Sequence, residues 1–182
     1  LKKAFVASGI RMDLALKCGE YISEIARFHT GGQLKVAPEH VSEKVLAAMR
    51  KPPAATFTKF AELFLAGSKK AGKEQYLVPY FISAHPGSTL ADMAELALFL
   101  KERGMRPQQI NDFLPAPMEL ATSVYHTGLD PFTLAPVYVP KGEAERRMQR
   151  ALLQYYKPEN RPLIIRALKQ IGRMELVKKL LR

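Results

Sequence analysis

"YLVPYFISAHPGSTLADMAELALFLKERG", residues 76–104, is the stretch whose reading decides the fold. Residues 76–84 are almost wholly apolar, the pattern of a strand covered on both faces. Pro79 inside the run has no N–H for a ladder and marks a local irregularity. His85-Pro86-Gly87 makes a corner, and Thr89 is placed to cap a helix over 90–103. Met93, Leu96, Ala97 and Leu100 share the inward face of that helix, which Gly104 ends.

The same strand–turn–helix grammar recurs on either side. Upstream, Ala4 to Ala7 is an apolar run of strand length closed by Ser8-Gly9. "GEYISEIARFHT" then predicts a helix with Tyr21, Ile22, Ile25 and Phe28 on one face, ended by "GG" at 31–32. "QLKVAPEH" opens the next unit, and Ser42 is a candidate N-cap for "EKVLAAMRK", with Val45, Leu46 and Met49 inward. Pro52-Pro53 stops that helix, and a second over about 56–71 carries Phe57, Phe60, Leu63 and Phe64 as its stripe. Downstream, "QINDFLPAP" at 109–117 is a fourth strand candidate. Buried strands joined by helices argue a parallel sheet, either half of a (β/α) barrel or a small doubly wound sheet. After 118 the chain becomes Pro-rich and irregular, with a short strand candidate at 137–139. Helical patterns follow at about 143–156, 159–171 and 174–181.

Composition narrows the classes. The 182 residues are 47% hydrophobic and 25% charged, as expected of a folded domain rather than a disordered chain. No uncharged apolar stretch reaches the ~20 residues that span a bilayer, so no membrane partner is expected. The chain begins at Leu1 and shows no signal peptide; the missing Met suggests a piece of a longer protein. A single cysteine, Cys18, permits no internal disulfide and fits a reducing cytoplasm. With four scattered histidines it forms no Cys-rich metal site. The net charge of +11 is uneven: residues 141–182 hold 12 Lys/Arg against 4 Asp/Glu.

In parallel α/β architectures chemistry sits beyond the carboxyl ends of the strands. The strand candidates end in Ser8, Gly9 and Arg11; in Pro38, Glu39 and His40; in Ser83, His85, Pro86 and Gly87; and in Asn111, Asp112, Pro115 and Pro117. Turn-making alone accounts for any one of them. Arg11, Glu39, His40 and His85 arriving together suggests more. Glu39–His40 reads either as a proton-transfer pair or as an exposed dipeptide without catalytic duty. Helix starts after "VAPEHVS" and "AHPGST" offer free N–H groups to an anionic or polar ligand. No GxGxxG, P-loop, HExxH or GxSxG motif is present, which leaves dinucleotide, nucleotide, zinc-protease and hydrolase readings unsupported.

"VASGIRMDLAL", "GGQLKVAPEHVSEKVLAAMRKP", "KEQYLVPYFISAHPGSTLADM" and "YVPKGEAERRMQRALLQYY" resemble, in this order, the YgiQ-type radical SAM family. "YFISAHPGSTLADMAELALFL" is similar to the fifth-strand motif of radical SAM enzymes, with Ser88 standing where they usually carry Glu. "INDFLPAP" resembles their sixth strand. The resemblance implies a partial (β/α) TIM-like barrel of about four parallel strands, barrel strands three to six, over residues 1–118. A Pro-rich connector and a basic helical extension would occupy 119–182. It implies S-adenosylmethionine as cofactor, held across the strand ends, and a 4Fe-4S cluster whose ligands lie outside this chain. The N-terminal remainder of the same protein would supply them. By position, Ser8, Arg11, Pro38, Glu39 and His40 would face the cofactor's ribose or methionyl part. His85, Pro86 and Gly87 would lie near adenine, with Asn111, Phe113 and Pro115 beside it or the substrate. Arg50 is a candidate for the methionyl carboxylate. The CxxxCxxC cluster loop is absent here, so the chain alone is expected to bind no cluster and to be inactive. The substrate and the catalytic residues stay unassigned.

The tail admits two readings. "EAERRMQRALLQYY" aligns Met148, Leu152 and Tyr155–Tyr156 on one side, with Arg146, Arg147 and Arg150 mostly elsewhere. This is either an amphipathic cap with a solvated basic face or a nucleic-acid contact over 141–182. The second makes the chain a basic, tRNA-like binding module that uses the barrel remnant as scaffold.

Overall fold

The computed structural model describes residues 3–108 and 110–181. It is a mixed α/β fold with a small three-stranded parallel sheet in the order β1-β2-β3. The strands are β1 (Gln33–Glu39), β2 (Tyr76–Ser83) and β3 (Asn111–Asp112). Helices α1 (Met12–Ala15) and α2 (Gly19–Glu24) precede β1. Helices α3 (Glu43–Ala48) and α4 (Ala54–Lys70) separate β1 from β2, and α5 (Leu90–Glu102) separates β2 from β3. Beyond β3 come α6 (Leu120–Thr127), α7 (Glu143–Leu153), α8 (Arg161–Gln170) and α9 (Leu176–Leu181). None of these helices is long and apolar enough to cross a membrane.

Two compact units are interleaved along the chain: Leu1–Glu39 with Pro52–Tyr80, and His40–Lys51 with Phe81–Arg182. In the first, β1 alternates as a half-covered strand should, with Leu34, Val36 and Pro38 buried between exposed Gln33 and Lys35. The first strand candidate, Ala4 to Ala7, forms no strand; its Val6 N–H donates to the His29 carbonyl, and the parallel pairing nearby is a single bridge beyond it, Ile10 to Val36. Phe57, Phe60 and Phe64 line the buried face of α4, the last two stacked at 6.2 Å. Leu63, predicted in that stripe, is exposed.

The helix over 19–30 is regular only to Glu24; Ile25–His29 is a π turn. Ile22, Ile25 and Ala26 are buried while Tyr21 and Phe28 point outward: the extra residue of the π turn carries Phe28 off the buried face, whereas Tyr21 lies on the exposed side of the regular helix before it. The loosened carbonyls are collected by buried Gln75, whose Nε2 donates to the oxygens of Ala26 (3.1 Å) and Thr30 (2.9 Å). Its Oε1 accepts from the Ser68 hydroxyl at 2.7 Å.

In the second unit Phe81, Met93, Leu96 and Leu100 pack with Leu152, Leu153, Ile164, Leu168, Leu176 and Leu180 from α7, α8 and α9. Thr89 caps α5 as predicted, in a reciprocal box with Asp92. Ser42 occupies the N-cap position of α3 but makes no capping bond; its hydroxyl donates to Asp92 Oδ1 at 2.8 Å. β2 is only half-buried over most of its length rather than covered on both faces. β3 is short: it pairs Asn111 with Ile82 and Asp112 with Ser83, so Pro79 falls outside that ladder and its missing N–H is tolerated. Of the fourth strand candidate, Gln109 lies outside the described residues, and 113–117 is not strand. Leu120–Thr127, read as irregular, is helical; only Val124 of it is buried, so no apolar stripe announced it. Residues 137–139 form no strand, and the nearby pairing is one antiparallel bridge, Leu129 to Pro136.

Candidate functional site

Within the second unit, β2 runs into a tightly determined loop. Ala84 has φ +59° and Gly87 has φ +91°, left-handed conformations flanking His85-Pro86. A Cβ on Gly87 would lie 3.2 Å from the Ala48 Cβ, so both conformation and space require glycine. The Gly87 N–H donates to the Tyr138 carbonyl at 2.7 Å. Gln149, fully buried on α7, holds the loop from behind. Its Oε1 accepts from the Ala84 N–H at 2.9 Å, and its Nε2 donates to the Ser88 carbonyl at 3.0 Å. Left-handed non-glycine residues cost energy and persist only where the surroundings hold them.

Around this loop stands an aromatic wall. The His85 ring meets Phe113 edge-on at 5.1 Å, Phe113 lies 5.8 Å from Tyr125, and Lys141 sits over Tyr125 at 5.4 Å. His85 Nδ1 is 2.7 Å from the Pro86 carbonyl, which assigns its proton to Nδ1 and leaves Nε2 as the acceptor nitrogen. Burial pulls the His85 pKa down, against the Pro86 bond and Glu119, and keeps the ring neutral near pH 7. A neutral imidazole beside a phenyl ring suits a flat, uncharged heteroaromatic group.

His40 is committed to the fold. Its Nδ1 accepts the backbone N–H groups of Val41 (2.9 Å) and Ser42 (3.0 Å), and its Nε2 faces Met93 Sδ at 3.4 Å. Burial, aided by the charges of His85 and Lys44, lowers its pKa to about 4 despite Asp92. The proton-transfer role open to His40 in the sequence therefore finds a buried, neutral ring with both nitrogens engaged. Arg50, at φ +54°, stacks its guanidinium on Phe132 at 4.0 Å. Asn111 and Pro115 are exposed near Phe113 in sequence, while Pro86 and Gly87 are buried.

In the first unit the Ile10–Val36 bridge sets Arg11 level with Ala37, two residues short of Glu39. Glu39, the last residue of β1, is half-buried and left-handed at φ +65°. Pro38 is buried and Ser8 exposed. Arg11 grips Asp13 through Nε (2.9 Å) and Nη2 (2.7 Å), and that hydrogen bonding lowers the Asp13 pKa to about 2.

The basic face of α7 departs from expectation. Arg146 donates to the Phe113 carbonyl at 2.8 Å, and Arg150 pairs with Asp112, which also accepts from the Ser83 hydroxyl. Only Arg147 sits in a simple surface pair, with Glu143 one turn away. Tyr125, Gln149 and Arg146 were not foreseen as part of the site. The one trace in the sequence is Gln149, a polar residue set in the apolar stripe of Met148 and Leu152.

Fold and site together define an α/β domain with a rigid strand-end loop and an aromatic wall, tied to a basic helical segment. A family model described as "Domain of unknown function (DUF3362)" matches residues 108–179. The chain is similar to the UPF0313 protein YgiQ of Escherichia coli, 47% identical over 97% of this chain and 25% of that protein. UPF0313 proteins of Geobacter sulfurreducens (49%, covering 29% of that protein) and Methanosarcina acetivorans (48%, covering 24%) match over the same 97% of the chain. The YgiQ likeness expected from the sequence phrases is thus present. The chain spans about a quarter to three tenths of the length of the curated relatives it matches.

Proposed function

We propose that this chain is part of a radical SAM enzyme in which it supplies strand-end residues of a partial (β/α) barrel that holds S-adenosylmethionine. The observation that carries the reading is the loop from Ala84 to Gly87, forced into two left-handed turns and backed by buried Gln149. That loop fixes His85 against Phe113, a wall suited to adenine, with His85 Nε2 as a hydrogen-bond acceptor for an amino group. Asn111 and Pro115 would border the same ligand. For the methionyl carboxylate, Arg50 would have to leave Phe132.

The fit to the cluster is different. A 4Fe-4S centre of this class needs three cysteine thiolates, and the sequence has one cysteine, so this chain does not hold it. When bound elsewhere in the protein, the cluster supplies the electron that cleaves the cofactor to a deoxyadenosyl radical. The substrate that yields the hydrogen atom is left unassigned.

The test is anaerobic reconstitution of the full-length protein, followed by reduction with dithionite and assay for 5′-deoxyadenosine. His85→Ala and Gly87→Val should weaken S-adenosylmethionine binding while iron content is unchanged. Unaltered calorimetric titrations for both variants would remove the assigned site. Absence of cofactor cleavage by a protein carrying its full iron content would remove the class.

A further inference from the structure

A basic concavity lies away from the loop just described and shares no lining residue with it. A cavity of about 660 Å³ in the second unit is lined by Lys101 and Arg106 from the end of α5 and its following turn, and by Lys157 and Arg161 at the start of α8. Tyr155 and Tyr156 form its aromatic wall, and Leu180 and Leu181 complete it. The tyrosines are fixed in place: their hydroxyls donate to the carbonyls of Met105 (2.9 Å) and Pro107 (2.7 Å). Lys101 stands over the Tyr155 ring at 5.6 Å.

The charge balance of this cavity is one-sided. No carboxylate is among its described lining residues; Glu159 stands beside it in sequence. Arg106, Lys157 and Arg161 make no ion pair among the described residues, whereas Arg147, Arg150 and Arg173 each pair with an acid. Cations brought together at a partly apolar wall repel one another unless an anion joins them. The volume is that of a small-ligand site.

We propose that this cavity binds a phosphate ester, with Arg106, Lys157 and Arg161 contacting its oxygens. The phosphate belongs either to a free nucleotide or to a nucleic-acid backbone, and the tyrosine wall shields it from water. This site is independent of the S-adenosylmethionine reading. It also differs from a uniformly basic tail, because Arg146 and Arg150 are tied to the strand ends.

The test titrates the full-length protein with pyrophosphate, with ADP and with a short single-stranded RNA at low and high salt. Saturable binding is expected for at least one. The paired substitutions Arg106→Gln and Arg161→Gln should weaken it about tenfold or more, since each removes a charge-assisted contact. Arg106→Lys should retain most of it. The control pair Lys59→Gln and Lys70→Gln, exposed on α4, should leave it unchanged. Binding of ADP without RNA identifies a nucleotide site; RNA binding displaced by pyrophosphate identifies a backbone site, with log affinity falling by about 0.7 per phosphate contact per log unit of salt. No saturable binding at low salt, or equal loss in the control pair, overturns the proposal.

Discussion

Replacing Gly87 by alanine isolates the constraint on the strand-end loop. At φ +91° an L-residue is strained by about 1–3 kcal/mol. The new Cβ would also stand 3.2 Å from the Ala48 Cβ, so α3 or the loop must shift by a few tenths of an ångström. Overpacking of this kind typically adds about 1 kcal/mol or more, giving a total of about 2–4 kcal/mol. The two parts separate in a double-mutant cycle. Ala48→Gly alone should cost up to about 1 kcal/mol through helix propensity, as Ala48 closes α3. In the Gly87→Ala background it should cost less, or restore stability, because it removes the clashing methyl group. Urea unfolding followed by circular dichroism supplies all four stabilities. A Gly87→Ala loss below about 0.5 kcal/mol would refute the reasoning, since neither strain nor close approach would then be real. Additive costs in the cycle would remove the contact and leave only the backbone strain.

The pH dependence of stability should show two separable phases. The His40 pKa falls from 6.5 to about 4 on folding, so the unfolded chain binds more protons between those values. Stability should therefore drop as pH falls from about 6.5 to 4, by roughly 3 kcal/mol, and His40→Gln should flatten that phase. Burial tends to raise the Asp92 pKa, but bonds from Thr89, Lys44 and Ser42 outweigh it and bring it to about 2. Its roughly 2 kcal/mol is present above pH 4 and lost on further acidification, a phase absent in Asp92→Asn. Gln149→Leu leaves the Ala84 N–H without its acceptor and should cost about 1–3 kcal/mol, with faster hydrogen exchange at Ala84. In the other unit Gln75→Leu should cost a similar amount and expose the π turn, seen as exchange at 25–30 with the Gly87 loop unaffected.

Element type along residues 33–104 was legible because each signal there is local. Apolar alternation marks β1, the Thr89–Asp92 pair marks the start of α5, and Phe57, Phe60 and Phe64 mark the buried side of α4. Where periodicity is lost the reading was wrong in kind. The π turn at Ile25–His29 shifts the buried face by one residue, and α6 buries too little to leave a stripe. The strand-end residues were found as a set of names, but their duties were not. His40 and His85 look alike in sequence; one is bonded through both nitrogens within the core, and the other presents a nitrogen beside Phe113.

By itself the sequence determined the alternation of strands and helices, the turn at His85-Pro86-Gly87 and the likeness to YgiQ proteins, since all three are written in residues close together. Tertiary structure alone decided which basic residues are spent on the fold. Arg146 and Arg150 reach Phe113 and Asp112 across more than thirty positions, while Arg106, Lys157 and Arg161 are gathered around one cavity. Charge is counted along a chain, but its partners are set by separation in space, because the attraction between two charges weakens as they are moved apart.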